Sequence, residues 1–121
     1  MADGAPHARC HCGAVTIGLA AYPDEITECN CSLCRSYGIR WAYFSAGEVA
    51  IPADARTDTY AWNGRNVDFH RCANCGCVTH WVPRASSRER RGVNANLMPA
   101  DRLATSKVRH RDGAKTGKYL D

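Results

Sequence analysis

Apolar residues alternate with polar ones along much of this chain, and the alternation is of period two. Val15, Ile17 and Leu19 within Cys10–Ala20 read as a half-buried strand. Tyr22-Pro23-Asp24 is a turn, and Ile26-Thr27-Glu28 leads into a cysteine cluster. Ile39–Ser45 reads as an aromatic-rich strand, and Val49–Ile51 as a short one stopped by Pro52. Thr57–Trp62 and Val67–Arg71 flank Asn63-Gly64, a strong hairpin signal. Val78–Val82 and Gly92–Leu97 complete the set, with the polar run Arg84–Arg91 between them. No long stretch keeps a 3.6-residue period, so helices are short, at Cys31–Tyr37 or Pro99–Leu103. The pattern predicts a mainly β domain over residues 1–121, built on metal knuckles that help to fix a small core.

The eight cysteines change this picture most. Met1–Arg9 has neither a basic nor an apolar leader segment, so the expectation is a cytoplasmic protein in which thiolates bind metal. No apolar run is long enough to span a membrane. The formal charge is +4, but seven zinc-bound thiolates and two zinc ions would bring it to roughly +1. That charge, with no recognition helix in the pattern, argues against a nucleic-acid partner. The alternative function, a non-catalytic zinc-stabilised binding module, would need an exposed basic stripe.

The cysteines fall into three groups: Cys10-His11-Cys12-Gly13, Cys29-Asn30-Cys31-Ser32-Leu33-Cys34, and Cys72-Ala73-Asn74-Cys75-Gly76-Cys77. Pairing Cys10 and Cys12 with Cys72 and Cys75 would give a closed four-sulfur structural site, with glycines at 13 and 76 supplying positive φ. Cys29, Cys31 and Cys34 offer three sulfurs. An open fourth position there would be catalytic or ligand-binding, whereas Cys77, His70 or His80 as fourth ligand would make it structural. Such an open site is prone to partial occupancy or to oxidation among its own cysteines. Cys77 reads as a small buried side chain, a free nucleophile or a redox thiol. His11 should face outward, and His70 and His80 should be packed or supporting residues.

Cys-x-Cys-Gly-Ala at 10–14, Cys-Asn-Cys-Ser-x-Cys-Arg at 29–35, Cys-x-x-Cys-Gly at 72–76, Val93-Asn94, Asp112-Gly113-Ala114 and Lys118–Asp121 together resemble the glutathione-dependent formaldehyde-activating family, to which centromere protein V domains are related. The resemblance implies a tent-like arrangement of sheets with two zinc ions. Cys10, Cys12, Cys72 and Cys75 would be the structural ligands, and Cys29, Cys31 and Cys34 the active-site ligands. It also implies a small-molecule thiol such as glutathione as partner and a carbon–sulfur lyase reaction. Arg35, next to the open cluster, is the first candidate for a substrate carboxylate, followed by Arg40, Arg65 and Arg71. Arg84–Arg91 reads as a solvated loop or a lid over an anionic substrate. Trp41, Tyr43 and Phe44 read as core, or as an aromatic pocket.

Overall fold

Period-two patterning resolves into strands that pair almost wholly antiparallel. The computed structural model describes residues 5–121; residues 1–4, which begin the segment read for a leader, lie outside the described residues. The strands are β1 (His7–Arg9), β2 (Thr16–Leu19), β3 (Glu25–Cys29), β4 (Arg40–Ser45), β5 (Val49–Ala50), β6 (Thr57–Trp62), β7 (Val67–Cys72), β8 (Val78–Pro83), β9 (Arg90–Asn94) and β10 (Lys107–Arg111). Among the described residues a single α-helix, α1 (Ser32–Tyr37), interrupts them, with short 3₁₀ turns at Ala46–Glu48, Ala95–Leu97 and Ala100–Arg102. The fold is mainly β, as the pattern predicts.

Two sheets form. One has the order β1-β2-β5; the other has the order β10-β3-β4-β9-β8-β7-β6, with β10 parallel to β3 and its remaining pairs antiparallel. Strand β4 shows how the large sheet divides the interior. Successive side chains point to opposite faces, so Ala42 and Phe44 join Ile17, Ile26 and Val93 in one core, while Trp41 joins Phe69, Val67 and Leu33 in the other. The first core is covered by the small sheet, with Ala8, Ile17 and Leu19 packed into it. The second core gathers around α1 and contains Cys29, Cys31 and Cys34. Aromatic residues at 41, 43, 69 and 81 pack there with tilted rings, Trp41 and Phe69 centroids 5.9 Å apart and Tyr43 and Trp81 6.1 Å apart.

Three features depart from the sequence reading. β1 occupies the loose start, because three residues are too few to display a period, and its pairing with β2 defines it. β10 is an edge strand of mostly charged residues, held by backbone pairing to β3 rather than by an apolar face. The strand expected at Gly92–Leu97 begins at Arg90 and stops at Asn94. There the Asn94 side chain accepts the Asn96 N–H and donates to the Val78 carbonyl, turning the chain into a 3₁₀ turn.

Candidate functional site

The first cysteine group is built from two similar turns. Cys10 follows β1, and the Gly13 N–H donates to the Cys10 carbonyl; Cys72 ends β7, and the Gly76 N–H donates to the Cys72 carbonyl. Both glycines take positive φ, +82° and +81°, which lets each turn fold its two sulfurs to one side. Backbone N–H groups point at the sulfurs: Val15 to Cys10 at 3.2 Å, Ala14 to Cys12 at 3.5 Å and Cys75 to Cys72 at 3.5 Å. All four sulfurs lie within 4.8 Å of one another, with Cys10–Cys12 and Cys12–Cys72 each at 3.6 Å. In a tetrahedral zinc–thiolate site the sulfurs stand about 3.8 Å apart, so the group has the donor set and spacing for such an ion. Cys10 and Cys72 are buried at 2% exposure each, which sets this group in the first core.

The second group forms where β3 ends and α1 begins. Cys29 is the last residue of β3, and Cys31 is the N-cap of α1, its sulfur accepting the Cys34 N–H at 3.4 Å. A cap and the third helical residue share one end of a helix, so Cys31 and Cys34 are brought together by local geometry alone. Gly38, in a left-handed conformation, ends the helix. The three buried sulfurs also lie within 4.8 Å of one another. The Trp41 indole N–H donates to Cys34 Sγ at 3.4 Å. Burial pushes the Cys34 thiol well above its ordinary value, aided by Cys31 and opposed by the Trp41 N–H. Burial also works against the Cys31 thiolate, but donation from the Cys34 N–H and the neighbouring thiols outweighs it and lowers that thiol. The surroundings thus ease proton loss at Cys31 and oppose it at Cys34, and a metal that binds the group would displace the protons that remain.

No fourth His, Cys, Asp or Glu donor joins this group among the described residues. The residues considered for that role are engaged elsewhere. His70 and His80 stack on each other with centroids 4.3 Å apart, each with Nδ1 bound to a threonine hydroxyl, Thr57 and Thr79. Cys77 is half-buried against the first core, and its carbonyl accepts the Cys72 N–H. His11 is exposed, as its place between two sulfurs suggests.

What the second group has instead of a fourth ligand is a pocket of about 300 Å³. Cys29, Cys31 and Cys34 lie on its surface with Leu33 and Trp41; Tyr43, Phe69, Trp81, Val67 and Trp62 wall it; Tyr119, Arg88, Arg90 and Arg111 complete it. Of the aromatic run read at 41–44, Trp41 and Tyr43 line the pocket and Phe44 belongs to the opposite core. Arg35 is exposed on α1 and is not part of this wall, nor are Arg40, Arg65 and Arg71. Arg88 and Arg90 come from the stretch read as a loop or lid.

The C-terminal segment supplies parts that motif reading did not single out for a role. Asn30, between two cysteines, donates from Nδ2 to Asp112 at 3.0 Å and accepts the Ala114 N–H at 2.9 Å. This clip presses Gly113 against Cys29. Tyr119 shares a hydrogen bond of 2.9 Å with Thr27 Oγ1 and lies under the Arg109 guanidinium, 3.9 Å from the ring centroid.

The sequence model described as "Glutathione-dependent formaldehyde-activating enzyme" matches residues 5–110. The chain belongs to that family. The family match takes in both cysteine groups and most of the pocket wall, while Arg111, Gly113 and Tyr119 follow its end. A crystal structure of a Rhodobacter sphaeroides protein is similar to this family member with a TM-score of 0.67 and 26% sequence identity. The alignment covers 84% of this chain and 98% of that one. All eight cysteines are free of disulfides, so both groups keep sulfurs available to metal, consistent with zinc. No helix of the described residues is long and apolar enough to cross a membrane.

Proposed function

We propose that the protein is a zinc-dependent carbon–sulfur lyase that binds a small thiol such as glutathione at Cys29, Cys31 and Cys34 and joins it to, or releases it from, formaldehyde. The observation that carries this reading is the three-sulfur group, with no fourth protein donor among the described residues, set on the surface of an aromatic pocket. Cys10, Cys12, Cys72 and Cys75 would hold a second, structural ion. A zinc ion at the open group supplies an electrophile that lowers a thiol's pKa and polarises a carbonyl.

The chain's own residues do the rest. Trp41, Phe69 and Trp81 exclude water from the sulfurs and confine the two reactants, which raises their effective concentration. In the forward direction the thiolate sulfur attacks the carbonyl carbon, a carbon–sulfur bond forms, and the carbonyl π pair moves to oxygen, which takes a proton. In reverse that bond breaks and the thiolate departs. Tyr43 lines the pocket, and burial pushes its pKa up, so its hydroxyl stays neutral and is a hydrogen-bond donor rather than an acid. Tyr119 supplies a second hydroxyl, oriented by Thr27. A carboxylate contact to Arg35 requires a ligand that extends beyond the pocket along α1.

Isothermal titration of the zinc-loaded protein with glutathione, beside an assay of formaldehyde consumption, tests the reading. Binding that disappears in Cys34→Ser, together with turnover, supports it. No binding and no turnover at millimolar concentration rejects it.

A further inference from the structure

A glycine stands in the interior of the large sheet where no backbone geometry calls for one. Gly92 is buried in β9, and its φ is not among the positive ones, so other residues could take its conformation. Glycine weakens a strand interior, because it loses the most backbone freedom on folding and packs no side chain. What excludes other residues here is space. A Cβ on Gly92 would collide with Nε1, Cε2 and Cδ1 of Trp81, in the five-membered ring of the indole.

The strand register explains that collision. Tyr43, Gly92, Trp81 and Phe69 are cross-strand partners in succession, on β4, β9, β8 and β7. Such partners share one face of a sheet. Tyr43, Trp81 and Phe69 line the pocket beside the three cysteines, whereas Gly92 does not reach it. The row is therefore aromatic apart from a notch at position 92. The Trp81 indole lies across this notch toward Tyr43, their centroids 6.1 Å apart and their planes tilted by 58°. Tyr43 stands beyond the notch and Phe69 behind it, so an indole lifted off Gly92 moves into the cavity that all three line. A side chain as large as tryptophan's takes up much of a cavity of about 300 Å³.

We propose that Gly92 is a positioning residue for this pocket: its missing side chain seats Trp81 in the wall and keeps open the space beside the cysteines that the body of a thiol occupies. The inference rests on the thiol-binding reading above and adds the residue that sets the room left for the ligand.

The test is isothermal titration of the zinc-loaded protein with glutathione, a bulky thiol, and with 2-mercaptoethanol, a small one. Gly92→Ala should bind glutathione at least about tenfold more weakly than wild type, and 2-mercaptoethanol within about threefold of it. A loosened sheet or a lost zinc ion would lower both alike, so the divergence separates positioning from general damage. Trp81→Leu removes the ring atoms that the new methyl meets. Adding Gly92→Ala to Trp81→Leu should therefore change glutathione affinity by less than about threefold. This second comparison holds even where Gly92→Ala alone folds poorly. Equal glutathione affinity in wild type and Gly92→Ala, an equal fall for both thiols, or a fall of about tenfold in the Trp81→Leu background overturns the proposal and leaves thiol binding standing. No binding of either thiol by wild type or by Trp81→Leu rejects the thiol reading, and the proposal falls with it.

Discussion

Gly113 lies so close to Cys29 that a Cβ on it would sit 2.5 Å from the Cys29 sulfur. The glycine belongs to the C-terminal segment, and the cysteine ends β3. Asn30 fastens the two together by bonding Asp112 and Ala114 on either side of the glycine. The outer face of the three-sulfur group is therefore closed by backbone, which leaves the pocket as its open side.

Gly113→Ala should accordingly disturb the second cysteine group and spare the first. The new methyl forces either Cys29 or the loop to move, and metal sites whose supporting contacts are lost weaken by about 10–100-fold. Metal stoichiometry with a free-thiol count would show zinc retained at one site and lost from the other at a modest chelator concentration. Unchanged stoichiometry under the same chelator would mean that the loop yields freely and does not support the site.

Trp41→Phe keeps an aromatic ring in the second core and deletes the N–H that donates to Cys34. The Cys34 thiol then loses the one hydrogen bond that opposes its burial. Metal competition at the second group should weaken about tenfold, with a stability loss of about 1–3 kcal/mol from the changed packing. The informative quantity is the ratio of the two sites' affinities; if both fall equally, the effect is general loosening.

The two cysteine groups should separate by their stability effects. Cys72→Ser strikes the group whose Cys10 and Cys72 are buried in the first core and removes a bridge from the end of β1 to the end of β7. We expect a loss of about 3 kcal/mol or more there. Cys34→Ser should cost under about 2 kcal/mol, because α1 and its aromatic neighbours remain packed. Thermal melts of the two zinc-loaded variants decide this, and a Cys34→Ser protein melting below Cys72→Ser would reverse the assignment of roles.

His80 predicts a pH dependence. Burial, with the neighbouring His70 and Arg91, lowers its pKa from 6.5 to about 3. The unfolded chain therefore takes up a proton on this ring near pH 6.5 and the folded chain only near 3. Stability falls as pH falls through that window, by at most about 1.4 kcal/mol per pH unit for one proton. Metal loss in acid affects wild type and His80→Gln alike, so the comparison isolates the ring. Denaturant melts at pH 7 and pH 5 should show the larger loss in wild type; parallel losses would remove His80 as the cause.

Much of the fold was legible because local rules govern it. The strand read at Thr57–Trp62 has those bounds in the structure, since both its alternation and its hairpin loop are local. Helix α1 was legible for a similar reason: Cys31 caps it and Gly38 ends it. β10 was not legible, because a charged edge strand is defined by its partner β3 and carries no apolar period of its own. Arg35 stood beside the second group in sequence, yet the arginines on the pocket wall are Arg88, Arg90 and Arg111. Adjacency in sequence says little about which way a side chain leaves a helix end.

The sequence by itself determined which cysteines cluster, that two clusters resemble halves of one site, and that the third offers three sulfurs, with its fourth position left open between a ligand and a vacancy. Spacing carries that information, because Cys-x-Cys and Cys-x-x-Cys turns are closed by their own backbone hydrogen bonds and glycines. Only the tertiary structure decided what surrounds the three-sulfur group. Cross-strand register between β7, β8, β9 and β4 places Phe69, Trp81 and Tyr43 on one face, and Asn30 draws the C-terminal loop against Cys29. Those contacts join positions far apart in the chain, where no local pattern records them.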